Sequence, residues 1–217
     1  IGIEDFGRDY HPSYDLKTNE TKSQHEDLTN FIATINTNET AASVFKKQLE
    51  AILDVDSFLR YEAINTLTSN PDSFRNWYNN YYLYFDSKNH RCHFIPYDYD
   101  HVFGTGWFVQ ELLSRSPFST KTRIGGTERW QDNPLFWRLI CESTETDLGR
   151  RYPLIRTYQE QFRTYLIEFR TTVLNYSSWA AFASAYQYHG NIHGAGAENW
   201  TMSNYMDAKN NGLNQFL

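Results

Sequence analysis

Cysteine is scarce in this chain. Cys92 and Cys141 stand far apart with no CxxC spacing, which argues against a cysteine-ligated zinc site. A disulfide between them and two separate buried thiols both fit that spacing. Positive charge is also short: 20 Lys and Arg against 26 Asp and Glu leave a net charge of -6 and no basic footprint for nucleic acid. The Arg150-Arg151 pair fits a solvated helix face. No apolar run approaches the roughly 18 residues of a membrane span. There is no internal repeat, no low-complexity linker and no signal peptide. A chain that starts at Ile1 reads as processed or as a fragment. What is abundant is aromatic surface, 17% of the residues with 16 Tyr and 15 Phe, which suits half-buried positions where one end of a ring stays wet. Sequons at Asn19, Asn38, Asn175 and Asn199 are compatible with a secreted chain.

At 217 residues the chain can bury a substantial core, and the pattern predicts a single, mostly helical domain. Residues 1–23 carry Gly2, Gly7, Pro12 and a polar run, and read as an irregular lead-in. Helical spacing then predicts segments over about 24–35, with Leu28, Phe31, Ile32 and Ile35, and over about 39–53, with Phe45, Leu49, Ile52 and Leu53. Asp54 caps a third helix whose apolar face is Val55, Phe58, Leu59, Ala63 and Leu67, and which Pro71 is expected to stop. A hairpin follows: strand Tyr81–Phe85, turn Asp86–His90, strand Cys92–Pro96, with Asp86 read as a turn residue. Residues 103–133 read as a long loop holding a short helix near Val109–Leu113. Gly104-Thr105-Gly106 and Gly125-Gly126 lack the setting of a phosphate-cradling loop. Further helices are expected from Asn133-Pro134, over about 152–169, over about 179–186 with Ser178 as cap, and from Met202 to Leu217. His189 to Glu198 reads as a Gly/His-rich loop.

The chemistry concentrates between Asn70 and Gly104. Asp72, Asn80, Asp98 and Asp100 combine carboxylates with an amide oxygen, the hard donors that Mg²⁺ takes while keeping substrate phosphates in its remaining positions. Their order is telling: helix, loop Asp, Asn just before a strand, turn, second strand, Asp. Protein kinases use that order, with a loop Asp accepting the hydroxyl proton and a following Asn and Asp holding the metals. The departures are that no His-Arg precedes Asp72, that Asn80 lies further along than in the kinase loop, and that Tyr99-Asp100 follows Asp98 instead of Phe-Gly. His90, His93 and His101 do not share a metal-ligand spacing, and His189 and His193 fall in the Gly/His-rich loop.

The run DVDSFLRYEAINTLTSNPDSFRNWYNNYYLYFDSKNHRCHFIPYDYDHVFG closely resembles the CotH (spore-coat protein H) family of atypical, secreted protein kinases. YDLKTNETKSQHEDLTNFIATIN resembles that family's segment upstream, and NPLFWRLI with RRYPLIRTYQEQF resembles its later helices. The likeness covers most of Tyr14 to Phe169. It implies an α+β, mostly α, protein-kinase-like C-terminal lobe with a metal-site hairpin over Tyr81–Pro96. Asp72 then matches the catalytic Asp, Asn80 the Asn before the strand, and Asp98 the metal-binding Asp with Asp100 as second acid. The implied activity is ATP- and Mg²⁺-dependent (or Mn²⁺-dependent) phosphorylation of protein serine, in a secreted or cell-surface setting such as a spore coat or cell wall.

A kinase also needs an N-terminal lobe with a strand lysine and a loop over the nucleotide. Residues 1–23 cannot supply that sheet, so they are expected to lead in from a lobe missing from this chain, with 24–217 as the catalytic lobe. The expected end inside a helix at Leu217 points the same way. The expected partner is a protein with a Ser-rich region, with no nucleic acid and no transmembrane segment. A second expectation, from another class, is a non-catalytic surface adhesin or invasin on the same scaffold, binding a host receptor through aromatic-rich loops. A third, glycoside hydrolysis by paired carboxylates, rests on the acids alone.

Overall fold

A computed structural model of the chain describes residues 14–20, 25–119, 121–124, 127–130, 133–141, 154–185 and 202–217. Helices α1 (Glu26–Ile35), α2 (Ala42–Ile52), α3 (Val55–Leu67) and α4 (Phe74–Trp77) lead into the hairpin of β1 (Tyr81–Phe85) and β2 (Cys92–Pro96). Then come α5 (Val109–Ser114), a second hairpin of β3 (Lys121–Ile124) and β4 (Thr127–Trp130), and α6 (Pro134–Leu139). The chain closes with α7 (Arg156–Val173), α8 (Tyr176–Ala185) and α9 (Met202–Leu213). Both sheets are two-stranded and antiparallel, which makes the fold α+β and rich in helix. Among the described residues no helix is long and apolar enough to cross a membrane.

Helix α3 is the axis of the core. Asp54 caps it as expected, its side chain accepting from Ser57 N at 3.0 Å. The expected face of Val55, Phe58, Leu59, Ala63 and Leu67 is buried, but so are Tyr61, Glu62 and Asn65 on the other sides. Burial nearly all round follows from its neighbours: α7 runs along one side and β2 crosses another. The α3–α7 seam is held by Asp56, which accepts from Arg60 Nε at 2.9 Å, from Gln161 Nε2 at 2.7 Å and from the Tyr165 hydroxyl. The Tyr165 bond, followed by the Arg60 contact, holds the Asp56 carboxyl below its ordinary value.

Alternation explains the first hairpin. Tyr81, Leu83 and Phe85 face inward opposite Pro96, Phe94 and Cys92, while Tyr82 and Tyr84 point to solvent. Its turn behaves as expected, with Asp86 Oδ1 accepting from Lys88 N at 2.9 Å. Beneath it the rings of Phe74 and Phe94 (4.9 Å), Phe58 and Phe94 (5.0 Å) and Phe74 and Tyr81 (4.8 Å) form a continuous cluster with Phe136. Each such ring pair adds about 1 kcal/mol beyond the area it buries. Main-chain bonding ties β2 to the α2–α3 junction, where Asp54 N donates to Cys92 O at 3.0 Å.

Of the two readings left open for the cysteines, the structure has the second: Cys92 and Cys141 are buried free thiols. Several expectations need correction. Pro71 does not stop α3, which already ends at Leu67, where Thr68 Oγ1 turns back to Ile64 O at 2.8 Å and Ser69 adopts a left-handed φ of 50°. The stretch read as one long loop contains β3 and β4, with Ile124 paired to Thr127. Helix α8 starts at Tyr176, and Asn175 instead of Ser178 accepts from the first-turn amide of Ser177. Helix α9 ends at Leu213, short of Leu217. The lead-in before Tyr14, Arg150-Arg151, Gly125-Gly126 and the His189–Glu198 loop lie outside the described residues.

Candidate functional site

The candidate site grows from the short segment after α3. Asn70 is buried, and its backbone N–H donates to Asn65 O at 3.0 Å. Its side-chain oxygen accepts from Asp72 N at 3.0 Å, and its own carbonyl accepts from Asn76 Nδ2 at 2.7 Å. An Asn that bonds the backbone two residues on makes a tight local turn. That turn presents Asp72, half-buried, at the rim of α4.

The expected partner is there. Asn80 Nδ2 donates to Asp72 Oδ2 at 2.7 Å, and Asn79 Nδ2 lies 3.4 Å and 3.3 Å from its two oxygens. A carboxylate accepts and an amide nitrogen donates, so this contact fixes which way Asn80 is turned. Its Oδ1 is left as the atom for a cation.

Asp98 and Asp100 are reached through the hairpin. Tyr97 N donates to Asn80 O at 3.2 Å, so the two strands close at that pair and Asp98 follows at the same end. Asn80 has a φ of 55° and Asp98 one of 49°, both left-handed. Asn and Asp tolerate that region better than other side chains, and residues held there cluster at functional sites. Asp98 and Asp100 are exposed, and Asp100 Oδ2 stands 3.6 Å from His101 Nε2. Among the described residues no group of three or more His, Cys, Asp or Glu side chains lies close enough to hold a metal. Asp72 and Asn80 are therefore brought into contact, whereas Asp98 and Asp100 share the open end of the hairpin without joining an acid cluster. His90 and His93 stand apart, facing Asp27 and Asp54.

Residues that the sequence did not single out fasten the two halves together. Tyr99 OH donates to Asn65 Oδ1 at 2.7 Å, and Phe103 N donates to Thr68 O at 2.9 Å. Gly106 packs so tightly that a Cβ there would sit 2.7 Å from Pro71 Cγ and 2.8 Å from His101 O. The segment after Asp98 is thus pinned to the segment before Asp72 at three places. Thr105, between the glycines, donates its hydroxyl to Asp100 O and Val102 O at 2.7 Å. The Gly-Thr-Gly run is a packing device.

Behind the loop lies a buried polar layer. Glu62 is fully buried, and burial pushes its carboxyl up to about 7 against the opposing pull of Arg75. Burial and the nearby Glu62 charge push the Tyr99 hydroxyl up as well. The donors at the rim, Asn80 Oδ1 and the Asp98 carboxylate, are hard oxygens at one end of one hairpin, a set that fits a hard divalent cation.

Comparison with known proteins agrees with this order of elements. The family model described as CotH kinase protein matches residues 4–215. Among curated proteins no relative matches the chain. With the match running through the Asp72 loop, the hairpin and the helices on either side, the chain belongs to the CotH kinase family.

Proposed function

We propose that this chain is the catalytic lobe of a protein serine kinase that transfers the γ-phosphate of ATP to a serine hydroxyl. The observation that supports it best is the Asp72–Asn80 contact at the open end of the hairpin. Asn79 and Asn80 hold the Asp72 carboxylate, and Asn70 holds its backbone. Asp72 orients the serine hydroxyl and takes its proton as the new O–P bond forms and the bond to ADP breaks. Asn80 and Asp98, with Asp100 beside them, are the residues that would hold Mg²⁺ or Mn²⁺. Bound there, the ion neutralises charge on the transferring phosphates. The substrate is a protein with a Ser-rich region, met at the cell surface or outside the cell.

The test is transfer of labelled phosphate from ATP with Mg²⁺ or Mn²⁺ by the full-length protein that carries this lobe and by its Asp72→Ala and Asp98→Ala variants. Loss in both variants, by about a hundredfold or more for Asp72→Ala, is expected from removing a general base. Equal incorporation by all three overturns the assignment.

A second reading, a host-receptor adhesin, draws on one specific observation. Tyr82, Tyr84, Ile95 and Tyr97 are exposed on the outer side of the hairpin. Receptor binding that survives Asp72→Ala but is lost in Tyr82→Ser/Tyr84→Ser would favour it.

A further inference from the structure

Lys209, on the inner face of α9, is 2% exposed. Its Nζ donates to Leu112 O, in the last turn of α5, at 2.6 Å. An ammonium carries three N–H donors, so this bond uses one. Among the described residues no carboxylate lies within ion-pair reach of it.

Two more cations share the same wall. Arg75, 7% exposed on α4, donates to Ser119 O at 3.0 Å, lies over the Phe136 ring and faces Glu62 across the core. Arg115, just past α5, pairs with Glu111 and donates to Asn76 Oδ1 at 3.3 Å. Between Lys209, Arg75 and Arg115 lies a partly open cavity of about 30 Å³, also lined by Ser69, Ser73 and Asn76. That is room for one water-sized body and a little more. Glu62 faces Arg75 and Glu111 pairs with Arg115, and among the described residues no carboxylate pairs with Lys209. Burial, and then the Arg115 and Arg75 charges, push its ammonium down to about 7.

We infer that this cavity is a binding site for one small inorganic anion of halide size, held between the Lys209 ammonium and the Arg75 and Arg115 guanidiniums. The cavity volume of about 30 Å³ suits an ion of halide size. The converging positive charge selects an anion over water, and a buried charge is stable only when paired. The site is separate from the Asp72 carboxylate and does not depend on the kinase reading. One wall is shared, because Asn76, which takes the Arg115 bond, also holds Asn70 O.

The test is thermal unfolding of the purified protein in slightly acidic buffer. Sodium chloride or bromide is exchanged for sodium gluconate at constant ionic strength. The expected result is a rise of several degrees that saturates with chloride and with bromide, as for any ligand of the native state, whereas sulfate and phosphate, which act by exclusion from the surface, give only a rise that does not saturate. Lys209→Met, which keeps the side-chain length, abolishes the halide dependence. No saturable rise in wild type, or an equal rise in Lys209→Met, overturns the site. Should Lys209→Met not fold, bromide-soaked wild-type crystals decide: an anomalous peak between Lys209 and Arg115 supports the site, and its absence overturns it.

Discussion

At the scale of single residues, Asn80 combines two properties that one substitution can separate. Its backbone is left-handed, and its side chain joins Asp72 to the hairpin. Asn80→Gly keeps that backbone at no steric cost and removes the amide. Stability is expected to change by less than about 1 kcal/mol, since the lost bond is at the rim. On the proposed kinase reading, phosphate transfer is expected to fall by about a hundredfold, because Asp72 would lose one of its two amide partners and the cation would lose a donor. Parallel thermal melts and ATP assays check this, and retained activity in a stably folded Asn80→Gly would remove Asn80 from the site. Asp72 and Asn80 were legible in the sequence as an acid just after a helix and an amide just before a strand, whereas the short helix α4 between them was not. Asn65, Asn70, Asn76 and Tyr99 were not. Tyr99 acts through a bond across to Asn65 that no spacing reveals, whereas Asn70 and Asn76 act within the local turn.

At the scale of elements, α9 and α5 approach closely because Gly212 has no side chain. A Cβ there would sit 2.1 Å from Leu113 O, a backbone atom that cannot swing aside. Gly212→Ala forces the helices apart and strains the Lys209–Leu112 bond one turn away. A loss of about 1 to 3 kcal/mol is expected, the usual cost of overpacking. The exposed neighbour substitution Asn211→Ala is expected to be near neutral. Urea unfolding of both variants measures the difference, and a neutral Gly212→Ala would mean that α9 can slide. Elements with a clean apolar stripe, such as α1 with Leu28, Phe31 and Ile35, were readable from periodicity. The all-round burial of α3 was not, because Glu62 and Asn65 look like a solvated face until α7 and β2 cover them. The second hairpin was hidden for another reason: Lys121–Ile124 and Thr127–Trp130 are short and charged. The Gly-Gly between them, a turn signal for paired strands, was the one available clue.

At the scale of the whole molecule, two buried groups behind the Asp72 loop act in opposite senses on stability. Glu62 titrates near 4.5 when unfolded and near 7 when folded. Between those values the native state holds a proton that the unfolded state has released, so stability falls as pH rises through that window. Lys209 titrates near 10.5 when unfolded and near 7 when folded. There the unfolded state holds the extra proton, so stability rises from about 7 towards 10.5. The groups facing Glu62 are Arg75, Tyr61, Tyr99, Cys141 and Asn65, and those facing Lys209 are Arg115 and Arg75. Together the two groups place a dip in stability near neutral pH, with a few kcal/mol of change along each limb. Melting midpoints from about pH 5 to about pH 9 in halide-free buffer trace it, below the range where tyrosines ionise. Glu62→Gln is expected to flatten the acid limb alone, and Lys209→Met the alkaline limb alone. Adding bromide should raise stability at neutral pH and below and leave the alkaline end unchanged, because an anion beside Lys209 stabilises its ammonium. A profile with its maximum near neutral pH, or one that neither substitution alters, would show that water reaches both groups and that the core behind the loop is not closed.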